Sequence, residues 1–460
     1  MMGRQADQPA FVYDFALDRH VPAAHMLRSI DRFVELKELR VHLAPFYSTT
    51  GRPSIDPELL IRMLLVGYCY GIRSERRLCE EVHLNLAYRW FCRLGLDGAV
   101  PDHSTFSKNR HGRFRESDLF RQIFETVVRR AIKEGLVGGE GFAVDASLIA
   151  ADANKQRSVP GTEETDWQSL AATRRSVQEY LDTLDQAAWG AASEVQPKFV
   201  SKSDPAAQWT GAHKGHAFFA YSDNYLIDLK ASIILDVEPT RAIRQAEVDA
   251  TKTMIERTEE RFGLKPQRLS GDSAYGTAEI LNWIVTEKKI APHVALFDKG
   301  ERTDGTFSRS DFAFDPATDS YTCPAGKRLL QYRRRFARLR TGITKAGMRI
   351  YRASKKDCSA CPLKERCCPG QPERKVLRSV HEAARDVVRS LRDTPEYLQS
   401  RRERKKIEML FAHLKRILHL GRLRLRGPCG ARDEFLLAAT AQNLRKLAKL
   451  IPIPQPAMVA

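Results

Sequence analysis

The stretch GFAVDASLIAA, residues 141–151, is a nearly continuous apolar run with one aspartate, Asp145, in its middle. A strand with one wet face alternates apolar and polar residues, so a run this unbroken predicts a central strand covered on both sides. An isolated carboxylate there costs several kcal/mol unless it is paired or bound to metal. Asp145 therefore either has a compensating partner or marks an early end of the strand, as a turn or helix cap.

Downstream, FFAYSDNYLIDLKASIILDVEPT (218–240) predicts two more strands turning near Asp223 and Asn224. A helix over about 243–262, a short strand RLSGD (268–272), a helix from Thr277 and a strand HVALF (293–297) follow. Three consecutive strands and then alternating helices and strands predict a mixed α/β sheet flanked by helices. Asp272 closes its strand at a carboxyl edge, where open α/β sheets place ligands; capping the next helix is the other reading.

Upstream, the first 138 residues read as helical. In SIDPELLIRMLLVGY (54–68), Asp56 caps, Pro57 suits the first helical position, and Leu59, Leu60, Met63, Leu64 and Gly67 form an inner face. Ser74 opens SERRLCEEVHLNLAYRWF as one helix, and Asp102 or Ser104 opens STFSKNRHGRF, exposing Ser104, Thr105, Lys108, Asn109 and Arg110. Such short helices suit a helix-turn-helix reader of DNA, with Lys108 and Arg110 as contacts, or a structural or dimerising bundle.

Two stretches interrupt the sheet. Residues 155–208 are polar with a helical middle and read as a peripheral insertion. Residues 300–395 are basic, with sixteen basic against three acidic residues between Lys327 and Lys375. There RRRFARLR (333–340), with Arg333, Arg334 and Arg335, reads as a phosphate-binding run. YTCPAGKR and DCSACPLKERCC offer Cys323, Cys358, Cys361 and Cys367 or its neighbour Cys368 for a tetrahedral Zn²⁺ site. The alternative is reduced cysteines in a small basic module. Cys69, Cys79, Cys92 and Cys429 lack ligand spacing and read as packing residues.

Across all 460 residues, 75 Lys+Arg against 57 Asp+Glu leave a formal charge of +18, which favours a polyanionic partner. The longest apolar candidate, LLIRMLLVGYCYGI, is short and interrupted by Arg62, so no membrane span is expected. MMGRQADQPAFVYDF has no signal-peptide core, which predicts a cytoplasmic protein whose nine cysteines stay reduced or bind metal.

A third carboxylate comes from RRERKKIEMLFAHLKR (401–416), which reads as one helix. At 100° per residue, Ile407, Leu410, Phe411, Leu414, Ile417 and Leu418 form the buried stripe. Arg404, Glu408 and Lys415 form a polar row beside it. Glu403 is explained by the dipole at the helix start. Three carboxylates on two strands and a helix can hold two divalent cations, which stabilise the attacking and leaving oxygens in phosphodiester cleavage.

The chain resembles the DDE transposases of bacterial insertion sequences over roughly residues 20–450. The resemblance rests on GRPSIDPELLIRMLLVGYCYGIRSERRL with PDHSTFSKNR, on VDASLIAADAN, on GDSAYGT, and on the R-x3-E-x6-K pattern at 404–415. It implies an RNase H-like catalytic domain in which Asp145, Asp272 and Glu408 bind Mg²⁺, with Mn²⁺ able to substitute. It implies that Arg404 and Lys415 meet DNA phosphates. Many relatives carry a tyrosine where this chain has Arg401, and Tyr397 is out of register for that role.

The domains that follow are a helical DNA-binding segment (1–138), a catalytic core (139–299, with the insertion 155–208), the basic Cys-rich insertion (300–395) and the rest of the core (396–460). The implied reaction is cleavage of double-stranded DNA at terminal inverted repeats and attack of the freed 3′-hydroxyl on target DNA. The implied setting is a homodimer on bacterial DNA, in the cytoplasm at the nucleoid. The rivals are a domesticated or inactive DNA-binding derivative, and a metal-dependent nuclease without strand transfer.

Overall fold

A computed structural model describes residues 16–48, 50, 54–191, 196–211, 215–296, 302–331, 342–345 and 347–453. Arg333, Arg334 and Arg335 lie outside the described residues. Helix α1 (Pro57–Cys69) begins as its sequence predicts, with Asp56 accepting the Glu58 N–H at 2.9 Å and Pro57 in the first turn. The helix expected over 74–91 is two, α2 (Glu75–Leu84) and α3 (Leu86–Phe91). Asn85 divides them because its side chain accepts the N–H groups of Ala87 and Tyr88, a cap that competes with a continuous helix. Helices α4 (Ser104–His111) and α5 (Leu119–Lys133) complete this stretch.

Strand β1 (Gly141–Ala150) follows, then β2 (Gln208–Gly211), β3 (Ala217–Asp228), β4 (Ile234–Arg241), α6 (Arg244–Phe262), β5 (Arg268–Gly271) and β6 (Ala291–Val294). The sheet order is β2-β3-β1-β5-β6, with β4 also paired to β3. Antiparallel pairing of β3 with β4 and parallel pairing of β1, β5 and β6 give the RNase H-like mixed sheet. The chain turns between β3 and β4 after Asp228, with Ser232 left-handed at φ 58°, and not at Asp223 and Asn224. Those two residues lie in mid-strand, where the pairing of β3 overrides their preference for turns.

The stretch 300–395 contains five antiparallel strands in the order β11-β10-β9-β8-β7: β7 (Ala313–Asp315), β8 (Ser320–Thr322), β9 (Arg328–Leu330), β10 (Met348–Arg352) and β11 (Lys375–Ser379). Four helices end the chain: α7 (Glu382–Leu391), α8 (Pro395–Glu403), α9 (Lys405–Arg416) and α10 (Gly427–Leu450).

Two compact units result: residues up to 138, 146–264 and from 406 onward form the first, and 139–145 with 265–405 the second. The helical segment ending at 138 thus shares one unit with β3, β4 and α6. In that unit α10 is the central post, packed against α1, α5 and β4 and buried along Phe435, Leu436, Leu437, Leu444 and Leu447. Each such side chain stabilises the fold by about 1.5–3 kcal/mol when fully buried. The stretch 155–208, expected to be peripheral, is tied inward: its Glu179 is buried and accepts Arg115 at 2.6 Å. Among the described residues no helix is long and apolar enough to cross a membrane.

Candidate active site

In the second unit, β1 and β5 run parallel with Gly141 opposite Arg268, Phe142 opposite Leu269 and Ala143 opposite Ser270. Carried two residues further, this register sets Asp145 level with Asp272, just past the end of β5. Asp272 thus sits at the carboxyl end of β5, with Asp145 beside it in the middle of β1. Arg404 lies 3.6 Å from Asp145 Oδ2 and supplies the compensating charge that a half-buried aspartate needs. Asp272 Oδ1 accepts the Ala274 N–H at 2.7 Å, so the capping reading of this residue also holds. Among the described residues only Oδ1 takes part in that cap, which leaves Oδ2 to face a ligand. Gly271 has no room for a side chain, since a Cβ would stand 2.8 Å from the Tyr275 ring.

Arg404 is the junction at which the helix expected over 401–416 divides into α8 and α9. Helix α8 starts earlier than expected, at Pro395, with Thr394 as its cap. Glu403 is therefore in a last turn and not a first one, and its partner is Arg268 at 3.7 Å. Helix α8 is pinned to β6: the Tyr397 hydroxyl donates to the Val294 carbonyl at 3.0 Å, and Ser400 Oγ lies 2.7 Å from His293 Nδ1. Tyr397 is thus a structural anchor. Burial, and then Arg268, hold the His293 imidazole below its usual range, which keeps it neutral.

The pinned helix faces a cavity of about 890 Å³ that lies wholly within the second unit and includes Asp272, Arg401 and Arg404. The stretch 300–395 supplies another wall, with Arg378, Arg389 and Arg392. Arg378 pairs with Asp386 at 3.1 Å and stacks 3.7 Å over the Phe314 ring. Glu382, 1% exposed, holds Arg309 and Arg389 at 2.8 Å each and Arg385 at 3.4 Å. Burial raises the Glu382 carboxyl, but these cations more than offset it and leave it below the usual carboxylate range. Arg392 and Arg401 are exposed and, among the described residues, take no acidic partner. Arginines outnumber carboxylates along its lining, a charge balance that favours an anion. Its walls lie about a hundred residues apart in the chain, so sequence reasoning missed it; the one available signal was the spacing of Arg401 and Arg404, which puts both on one helical face.

In the first unit, α9 buries Ile407, Leu410, Phe411 and Leu414, with Leu418 just beyond it, as the helical angles predict; Ile417 is half exposed, past the helix end. Glu408 and Lys415 are both exposed on α9. The expected exposed face of α4 is only partly so. Lys108 is exposed, whereas Asn109 and Arg110 are buried and Arg110 is ion-paired to Glu75 at 2.5 Å. Arg110 is thus occupied by the fold and not free to meet a phosphate.

The cysteine module has an apolar core, in which Cys358, Cys367 and Cys368 pack with Tyr321, Leu329, Tyr351 and Val376, and Cys323 lies against its edge. Cys361 is half-buried. Among the described residues no group of three or more His, Cys, Asp or Glu side chains is arranged to hold a metal ion. The Zn²⁺ set expected from Cys323, Cys358, Cys361 and Cys367 or Cys368 therefore gains no support. Of the carboxylates, the second unit brings together the pair Asp145 and Asp272, a donor set of hard oxygens that fits a divalent cation.

Residues 15–112 match the family model described as a transposase domain (DUF772), and residues 322–448 match a transposase DDE domain. The two matches together support a DDE transposase of insertion-sequence type. The DDE domain supports an enzyme acting on DNA, and the family implies use of a divalent metal, typically Mg²⁺. The DDE match includes Glu408 and the cysteine module, whereas Asp145 and Asp272 lie outside both matches. For those two the assignment in this transposase rests on their motifs and on the register of β1 with β5.

Proposed function

We propose that this transposase cleaves DNA at the terminal inverted repeats of its element and joins the freed 3′-hydroxyl to target DNA. Asp145, Asp272 and Glu408 would hold the Mg²⁺, or Mn²⁺ in its place. When bound, such ions act as Lewis acids at the attacking and leaving oxygens. The observation that carries the reading is the level placement of Asp145 and Asp272 on parallel strands, with Arg404 beside Asp145.

The chain's own residues then have separable tasks. Arg404 balances the charge of Asp145 and presents a fork to a phosphate, which suits a guanidinium. Arg392 and Arg401 draw the strand toward Asp272. Lys415 and the exposed Lys108 neutralise phosphates further along the duplex. No covalent protein–DNA intermediate is required, so no serine or tyrosine nucleophile is needed. The working form is a homodimer that pairs two element ends, acting at the nucleoid in the cytoplasm.

The test is incubation with double-stranded element ends, target DNA and Mg²⁺. Wild type gives cleaved and joined products; Asp145→Ala, Asp272→Ala and Glu408→Ala give neither, and Glu403→Ala retains both. A cleaving Glu408→Ala beside a dead Glu403→Ala overturns the glutamate assignment. Cleavage without joining turns the reading to a nuclease, and binding without cleavage to a DNA-binding derivative.

A further inference from the structure

Strand β3 carries a polar run where a strand interior calls for apolar residues: Ser222, Asp223 and Asn224 are each 0% exposed. Successive side chains point to opposite faces. On one face Ser222 donates to Glu247 of α6 at 2.5 Å, and Asn224 Nδ2 donates to the Glu238 carbonyl at 2.7 Å and to Thr240 Oγ1 at 3.0 Å. Asp223, on the other face, has neither carboxylate oxygen in a hydrogen bond among the described residues. A buried group of this kind demands an explanation, and functional sites are where local rules are broken.

The face that Asp223 shares is covered by α9. Lys406 Nζ donates to the Leu229 carbonyl at 2.6 Å, and the Phe411 ring stacks on Tyr225 at 4.7 Å. The Tyr225 hydroxyl donates in turn to Gln442 of α10 at 3.0 Å. These contacts run α9 antiparallel along β3, and the next step in the same direction brings Lys415 over Asp223. Burial pushes the Asp223 carboxyl well above its usual range, and Tyr225 and Lys415 pull it back. Burial lowers the Lys415 ammonium, and Asp223 opposes that shift. Asp223 and Lys415 thus act on each other's charge across the packing of α9 on β3.

We propose that Asp223 is a positioning residue for Lys415, its buried carboxylate orienting the ammonium at the surface of α9 toward a phosphate of bound DNA. This rests on the reading of Lys415 as a phosphate contact. The aspartate itself touches no DNA. An ammonium on four flexible carbons gains a direction from the buried carboxylate whose ionised form it favours.

The experiment is titration of the full chain with a fluorescent duplex bearing an element end, at several salt concentrations, reading the slope of log affinity against log salt. Lys415→Gln is expected to reduce the slope by about 0.9, one phosphate contact. Asp223→Asn and the apolar Asp223→Leu are expected to reduce it by the same amount, and Asp223→Asn with Lys415→Gln no further. If the Asp223 variants keep the wild-type slope while Lys415→Gln loses it, the inference falls alone and Lys415 stands as a contact. If Lys415→Gln keeps the slope, the contact and the inference fall together, and cleavage by the carboxylate variants still judges the catalytic reading separately.

Lys415 is exposed, so Lys415→Gln folds even if the Asp223 variants do not, and its thermal midpoint gives a second readout. Without its counter-charge a raised carboxyl costs stability only when ionised, so the loss relative to wild type is expected to be larger at pH 8 than at pH 5. The groups around Asp223 are Tyr225 on β3, Lys415 on α9 and the neutral Gln442 on α10, while Glu247 and Glu238 serve the opposite face. His413 titrates in both proteins and cancels in the comparison. Equal losses at the two pH values overturn the proposal.

Discussion

Arg110 on α4 and Arg401 on α8 sit in similar short basic helices, yet the fold gives them opposite fates. Arg110 is buried against Glu75, whereas Arg401 opens into the cavity that includes Asp272 and has no acidic partner among the described residues. Local composition does not separate them. What does is whether another segment delivers a carboxylate: Glu75 comes from a helix 35 residues earlier, and nothing comparable reaches Arg401. In a chain of +18 charge, exposed cations to which the fold brings no carboxylate are the ones most open to a polyanion.

The contrast can be broken most forcefully at Arg110. Arg110→Ala strands Glu75 beside a buried gap, and thermal or urea unfolding is expected to show a loss of about 3 kcal/mol, the low end for a broken buried pair because Glu75 keeps some access to water. DNA affinity per folded molecule should not change. A weakened affinity with an intact fold would return Arg110 to the DNA-contacting set.

Glu382 sharpens the held side of the comparison. Its carboxyl is below the usual range in the folded state, so the stability it contributes is present above the unfolded pKa and lost as pH falls through the folded one. Glu382→Gln is expected to cost about 2 kcal/mol at pH 7 and progressively less toward pH 3, measured as the gap in thermal midpoint from wild type. A gap that does not vary with pH would mean the cluster is held by packing alone.

Cys358→Ala tests whether the cysteines of the same unit pack or ligate. Packing predicts a loss of about 1 kcal/mol, with a melting curve indifferent to chelator. A chelator-sensitive midpoint in wild type, lost in the variant, would restore the Zn²⁺ reading.

Among the open cations the effects on stability are smallest. Arg401→Ala is expected to stay within about 0.5 kcal/mol of wild type, to lower the salt slope of DNA binding by about 0.9, and to slow cleavage. Lys108→Ala should lower the slope alike and leave cleavage of bound DNA unchanged. Equal effects on cleavage would erase the distinction between a cavity cation and a peripheral one.

Much of this was legible in the residues. The apolar run around Asp145, the Asp56–Pro57 helix start and the buried stripe of α9 each encode their structure locally, through strand burial, capping and helical period. Asp223 and Asn224 misled because turn propensity is local and the strand pairing that overrides it is not. Asn85 was a cap hidden inside an amphipathic pattern. The start of α8 was readable, since Thr394 followed by Pro395 is a helix opening, but the basic run after it drew the boundary too late. The cavity wall was beyond reach, because no period or spacing links Arg378 or Arg392 to Asp272.

The central place of α10 has a consequence in time. Helix α1 ends at Cys69 and its partner α10 begins at Gly427, so the ribosome must add the whole intervening chain before the two can meet. At 5–20 residues per second that takes roughly 20–70 s. Neighbouring helices can cover part of α1 early, but the side of it that meets α10 has no permanent cover throughout that wait, so the growing chain exposes that apolar surface until α10 is made.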